Sequence, residues 1–275
     1  IGTPPNLVFQ QVYAETVGSE IGFLTWMSWG VPVVLLFVPI TALWLTRDLD
    51  YQGSFILPAV GTWQSAERRV LIVFALTALA WVTRSQPFGG WSTFLNVPGI
   101  NDAGVAMLAV VTMFLVPDGR GERLLNWESA AKIPWGMLIL FGGGIAIAKA
   151  FVASGLSQQL GIWLTQLATL DLFLLILAIC LTITFMTEIT SNTATTTLML
   201  PILAAAALAA EIPPEILMVP AAMSASCAFM LPVATAPNTI MFSTGAFPIR
   251  TMVREGLALN LIGALLITSA CRLLI

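Results

Sequence analysis

Long apolar runs separated by short polar connectors make up most of the chain, and within each run the apolar residues are continuous. Runs of near-membrane length fall at about 24–45, 70–83, 103–116, 135–151, 217–233 and 257–275. A helix needs roughly 20 such residues to cross about 30 Å of hydrocarbon, so several of these must extend a few residues beyond the limits given. Continuous runs predict spanning helices, whereas strands of a membrane barrel would alternate apolar and polar positions. A partial helix is expected after Asn6, and two more on either side of an unusual polar stretch.

That stretch, Thr187-Glu188-Ile189-Thr190-Ser191-Asn192-Thr193, lies between the apolar runs 171–185 and 198–210 and carries no Lys or Arg. Lipid cannot hydrogen-bond hydroxyls, amides or loose backbone, so polar chemistry at this depth must face protein or water. Arms of about fifteen residues reach only ~22 Å at the helical rise. A hairpin over 171–210 that enters the membrane and turns back therefore fits better than two complete spans joined by a polar turn, which stays as the alternative.

Composition places the whole chain in the bilayer. Of 275 residues, 58% are apolar and 9% charged, and the mean hydropathy is +0.92. A soluble domain carries roughly 25% charged residues. The expected class is an all-α polytopic membrane protein. Eleven scattered cations make no basic face, which excludes nucleic acid as a partner. Histidine is absent, which removes His-based triads and His-ligated metal centres. Cys180, Cys227 and Cys271 are odd in number and far apart, and read as small buried residues.

The cations also orient the chain. Arg47, Arg68, Arg69, Arg120, Arg123, Lys132, Arg250 and Arg254 fall on one side if the hairpin returns to the face it came from, and Arg84, Lys149 and Arg272 fall opposite. Eight against three makes the first side cytoplasmic and leaves the hairpin mouth and the C-terminus outside. Segments 47–67 and 117–134 read as surface connectors, and 155–169 as a helix lying along the interface.

One internal repeat organises the rest. Gly2-Thr3-Pro4-Pro5-Asn6 recurs as Ala234-Thr235-Ala236-Pro237-Asn238, 232 residues later, and Thr25 and Gly30 find counterparts in Thr251 and Gly256. Duplicated halves with interrupted helices are the signature of secondary transporters, whose sites lie at the repeat interface. The chain opens on Ile1, directly inside the first copy, so it is expected to lack an N-terminal part, with a complete protein above roughly 400 residues.

Three groups could carry chemistry. The tip 187–193 offers hydroxyls, an amide and carbonyls, which suit Na⁺. A helix starting near Asn192 would turn its free N–H groups toward an anion. Pro232 and Pro237 predict a second break, because each lacks an N–H and frees a carbonyl one turn upstream. Glu188, an acid inside the membrane, is either functional or a structural brace. The glycines at 142–144 read as close helix packing, because no Gly-Lys-Ser follows. A Ser or Thr nucleophile would need a general base that the chain does not offer, so an enzyme is not expected.

Asn192 between Ser191 and Thr193, with the segments at 2–6 and 234–238, resembles the divalent anion:sodium symporter family, the INDY-like carriers of dicarboxylates, citrate or sulfate. The resemblance covers essentially the whole chain and includes Lys132-Ile133-Pro134-Trp135. It implies an inverted-repeat, elevator-type carrier that works as a homodimer in a bacterial inner membrane. It further implies Na⁺ as coupling ion and succinate, malate or citrate as substrate. Sulfate or another oxyanion, or Na⁺-independent exchange, remains the alternative. On that template Thr187, Ser191, Asn192 and the Ala234 backbone hold one Na⁺, and Gly2 is the backbone ligand of another. Asn192, Thr193, Thr235 and Thr3 would contact substrate. Residues 1–45 would end the first repeat within the moving transport domain, 46–69 would be a cytoplasmic connector and 70–169 scaffold. Residues 170–275 would complete the transport domain with the hairpin and a broken helix at 215–248. Ala236 departs from the family, where many members have Pro.

Overall fold

The computed structural model describes residues 2–48, 61–84, 90–97, 99–132 and 171–275, with isolated positions between 139 and 162. The expected span at 135–151 and the interfacial helix at 155–169 lie largely outside the described residues, as does the middle of the 47–67 connector. The described chain forms α1 Pro4–Val17, α2 Phe23–Thr46, α3 Ser65–Val82, α4 Gly90–Phe94, α5 Asp102–Leu115, α6 Trp127–Ala130, α7 Leu172–Ile189, α8 Asn192–Ala209, α9 Pro214–Ser224, α10 Ala236–Ser243 and α11 Ile249–Leu274. Helices α2, α7, α8 and α11 are long and apolar enough to cross a bilayer, and the chain is an integral, polytopic helical membrane protein.

Two compact units emerge, one of Gly22–Leu24 with Asp50–Trp135 and one of Ile1–Ile21, Thr25–Leu49 and Gly136–Ile275. In the smaller unit α3 lies against α5, tied at one end by Arg84 and Asp102 (2.8 Å) and by the Trp81 indole N–H on the Asp102 carbonyl (3.0 Å). Beyond α5, Asp118 accepts the N–H groups of Arg120 (2.6 Å) and Glu122 (3.0 Å). The Arg120 N–H above all holds its carboxyl below the usual range.

The larger unit is built around α9. This helix is short and lined with Ala221, Ala222 and the fully buried Leu217, Met218 and Val219. Small residues let helices approach closely without a hydrophobic driving force between them. Accordingly α7 and α11 pack on one side of α9, and α8 and α1 on another. Phe9, Ile176, Ile183, Leu200 and Ile267 fill the space between them. Cys180, Cys227 and Cys271 are buried, unpaired thiols within this packing.

Both copies of the repeat adopt one local form. Thr3 (φ −127°, ψ 145°) and Thr235 (φ −143°, ψ 155°) are extended residues that open α1 and α10, each with Pro in its first turn. Proline costs nothing there, because the first N–H groups of a helix have no partner to lose. A left-handed glycine follows each short helix, Gly18 (φ +76°) and Gly245 (φ +69°), before the long α2 and α11.

Two boundaries differ from expectation. The hairpin arms are 18 residues each rather than about fifteen, and only Thr190 and Ser191 stand outside a helix between them. Thr187 and Glu188 remain helical because their side chains turn inward, 0% and 3% exposed, to partners on neighbouring segments. The apolar run at 217–233 ends as a helix at Ser224, eight residues before Pro232. The cause is again Glu188.

A candidate binding site where two chain breaks meet

Residues 225–235 carry the chain from the C-terminus of α9 to the N-terminus of α10 without a regular helix. Such a segment inside a membrane protein leaves donors and acceptors that must find partners. The donors go to one side chain. Glu188 Oε1 accepts the N–H groups of Phe229 (2.8 Å) and Met230 (2.9 Å), and Oε2 that of Leu231 (3.0 Å). The Asn260 amide, from α11, donates a fourth bond to Oε1 (2.7 Å). Hydrogen bonds to a charged group contribute about 1.5–3 kcal/mol each. Four of them match the several kcal/mol it costs to bury the carboxylate. Of the two roles open to Glu188 in the sequence, the geometry is that of a brace, made to backbone amides rather than to a hairpin hydroxyl.

The acceptors are met from the other side. Asn238 donates its amide to the carbonyls of Ala228 (2.8 Å) and Leu231 (3.1 Å), and Thr239 its hydroxyl to that of Pro232 (2.7 Å). Ala228 lies four residues before Pro232, which has no N–H to offer a carbonyl. Helix α11 comes so close that a Cβ on Gly256 would stand 2.3 Å from the Phe229 carbonyl oxygen. Phe37 stacks edge-on against the Phe229 ring at 5.7 Å.

Facing this segment is the hairpin tip. The Thr187 hydroxyl lies 2.6 Å from Asn192 Oδ1 and 3.0 Å from the Ala225 carbonyl oxygen at the end of α9. Three oxygens thus share one hydroxyl proton. Their unmet acceptor capacity, beside the negative end of a helix dipole, suits a hard cation. Among the described residues no cluster of His, Cys, Asp or Glu could hold a metal. Ser191, which adjoins Asn192 in the chain, lines a cleft of about 310 Å³ together with Thr190, Val233, Ala234, Thr235 and Thr239, among others. Ser191 is the N-cap of α8 and Thr235 that of α10, so two positive helix ends border one cleft with no fixed cation.

The candidate residues divide accordingly. Thr187 and Asn192 are bonded to each other, with the Ala225 carbonyl as their third partner, and Ser191, Ala234 and Thr235 share the cleft. Thr193 is not among the cleft residues; its carbonyl accepts the Thr197 hydroxyl (2.7 Å). Thr3 lies 3.3 Å from the Ser226 hydroxyl, which brings the first copy of the repeat to the broken segment. Gly2 is exposed, with open space where a side chain would project. Sequence reasoning missed Ala225, Asn260 and Thr239. Only the small-residue run 224–226 at the end of an apolar stretch could have pointed to Ala225.

A helix broken at membrane depth, one end offering carbonyls and the other N–H groups, is the arrangement found in secondary transporters. This chain belongs to the family described as sodium:sulfate symporter transmembrane region, whose sequence pattern matches residues 1–273. It is 39% identical over 281 residues to the sodium-dependent dicarboxylate transporter SdcS of Staphylococcus saprophyticus, an alignment covering 97% of this chain and 54% of that protein. The SdcS of Staphylococcus aureus matches with the same identity and coverage. The chain thus spans about half the length of the curated relatives it matches.

Proposed function

We propose that the protein is a Na⁺-coupled symporter of di- or tricarboxylates such as succinate, malate or citrate, and not an enzyme. The observation that carries this reading is the cleft bordered by Ser191 and Thr235, the N-caps of two helices, with Ser191 adjoining in the chain the Asn192 of the Thr187–Asn192–Ala225 oxygens. Carboxylate binds the helix N-termini and the neutral hydroxyls; Na⁺ binds the oxygens. Opposite charges bound in one site of reduced effective dielectric attract each other, so Na⁺ and the carboxylate favour one another's binding. The effect is reciprocal, so each ligand raises the affinity for the other. The relatives' name supports a dicarboxylate, and a cleft of about 310 Å³ has room for a four-carbon dianion with water. The family description supports sulfate or another oxyanion as the second reading.

On this reading α7 and α8 form the re-entrant hairpin, and the two copies of the repeat are halves of an inverted pair. Residues 1–45 and 170–275 carry the site and move as an elevator, with 70–169 in the stationary scaffold of a homodimer. Arg47 and Arg254 both bond Glu255 (2.9 and 2.7 Å), which supports placing the end of α2 and the start of α11 on the same, cytoplasmic side of a bacterial inner membrane, with the C-terminus outside. Thr3 and Gly2 belong to the first-repeat side of the site, and Thr193 joins the substrate contacts when the cleft is filled.

The test is uptake by the complete protein in liposomes from a panel of dicarboxylates, citrate and sulfate, with and without Na⁺. Asn192→Ala is expected to abolish Na⁺-dependent succinate uptake while membrane insertion stays normal. Unchanged uptake sinks the site assignment.

A further inference from the structure

We infer that Glu188 is a positioning residue for the Na⁺ oxygens: from inside the protein it holds residues 229–231 in the one arrangement that sets the end of α9 against the hairpin tip. The inference rests on the proposed Na⁺ site and goes beyond it, because Glu188 contributes no atom to the ring of Thr187, Asn192 and Ala225 oxygens. Glu188 directly follows Thr187 on α7, so one rigid turn of helix carries both the hydroxyl that meets Ala225 and the carboxylate that meets Phe229, Met230 and Leu231. Two anchor points four to six residues apart on the same broken segment fix its path between them. Every donor on Glu188 is an uncharged N–H, and three of the four are backbone, so no side-chain substitution in 229–231 can supply them.

The fourth partner, Asn260, extends the hold to α11. Its amide donates to Glu188 Oε1 while its own Oδ1 takes a second, longer bond from the Phe229 N–H (3.3 Å). Asn260 is fully buried, and Gly256 one turn earlier lets α11 lie directly against the Phe229 carbonyl. Helix α7, the broken segment and α11 are therefore joined at one carboxylate. Glutamine has the same shape but turns one of its two oxygens into an N–H₂ group. In either orientation it points a donor at a donor, at Leu231 or at Phe229 and Met230.

The experiment is hydrogen exchange on the purified complete protein in lipid nanodiscs, titrated with NaCl against choline chloride. In Glu188→Gln the amides of Phe229, Met230 and Leu231 are expected to exchange at least roughly tenfold faster, with α2 and the distal halves of α7 and α11 unchanged. The Na⁺ concentration that half-protects the amides of 187–193 should rise by about tenfold or more. Asn260→Ser keeps the carboxylate and removes one donor; it guards against a Gln variant that does not fold. It should shift exchange in the same direction by less. Unchanged exchange at 229–231 in a folded variant overturns the inference, and so does uniform acceleration across the larger unit. Faster exchange with an unchanged Na⁺ midpoint also overturns it. Wild-type protein that shows no Na⁺ protection at all overturns the Na⁺ site itself, which is a separate outcome.

Discussion

The two interruptions in the larger unit are built differently. Between α7 and α8 the chain leaves the helix for only Thr190 and Ser191, and nearby groups satisfy it: the Thr190 N–H bonds the Met186 carbonyl (3.2 Å) and the Thr195 N–H that of Ser191 (2.8 Å). Between α9 and α10 eleven residues, 225–235, are out of helix. The N–H groups of Ala225, Ser226, Cys227 and Ala234 bond nearby carbonyls, but those of Phe229, Met230 and Leu231 and the carbonyls of Ala228 and Pro232 find partners on α7, α10 and α11. The short break holds itself; the long one is held by the rest of the fold. A locally satisfied turn can present side chains to a ligand with little consequence for folding. A segment held by distant groups ties ligand geometry to the packing of the unit.

The largest effect should come from the point where the long break has no slack. Gly256→Ala would put a Cβ 2.3 Å from the Phe229 carbonyl, and neither backbone can move without disturbing the Glu188 bonds. We expect destabilisation beyond about 3 kcal/mol, with little uptake remaining in the membrane-inserted protein. Gly245→Ala is the matched control. It has open space around it and only the cost of φ +69°, about 1–2 kcal/mol. Thermal unfolding in detergent, run beside uptake, distinguishes the two. Equal losses for both variants would erase the contrast between the breaks. Asn192→Ala, at the short break, should do the reverse of Gly256→Ala and remove uptake with little change in unfolding temperature.

Asn238→Ala comes next. It leaves the Ala228 carbonyl without its side-chain donor, at about 1–3 kcal/mol for a buried acceptor left unpaired. The Leu231 carbonyl loses one of two donors and keeps the Ala234 N–H (3.2 Å). Because the loss falls on the long break, stability and Na⁺ affinity should fall together. A variant that loses Na⁺ affinity with an unchanged unfolding temperature would show that the long break is as locally held as the short one.

The same contrast explains what the sequence makes legible. The apolar runs at 24–45 and 257–275 mark α2 and α11 plainly, because a membrane helix needs nothing beyond a continuous apolar stretch. The repeat marks the starts of α1 and α10, because an extended Thr followed by Pro is a local instruction. The polar run 186–201 announces the hairpin. It misleads on the arm length, because Thr187 and Glu188 are polar without being at the turn. Prolines mark the second break too late. Its true start at Ser224 is set by a carboxylate 41 residues from Phe229 and an amide 72 residues from that carboxylate, contacts that no local window displays. For the same reason Thr187 and Asn192 are readable as candidate residues, while the Ala225 carbonyl that bonds the Thr187 hydroxyl is not.

The smallest effect should come where the two breaks meet in the cleft, at Thr235. Its hydroxyl accepts the Asn238 N–H at 3.3 Å, a long cap bond, so Thr235→Ala should cost only about 0.5–1 kcal/mol of stability. Thr235 also lines the cleft shared with Ser191, and under the proposed function the loss of its hydroxyl leaves a bound carboxylate one donor short. The substrate KM should therefore rise roughly tenfold or more at saturating Na⁺, the worth of one hydrogen bond to a charged group. Thr235→Ser keeps the oxygen and should restore most of both. A KM that follows the unfolding temperature across Thr, Ser and Ala would mean the residue acts only as a cap. A KM that moves while stability barely does would mean that the N-terminus of α10 is in direct contact with the anion. In that case the long break, for all its dependence on distant partners, ends in a surface as free to bind ligand as the short one.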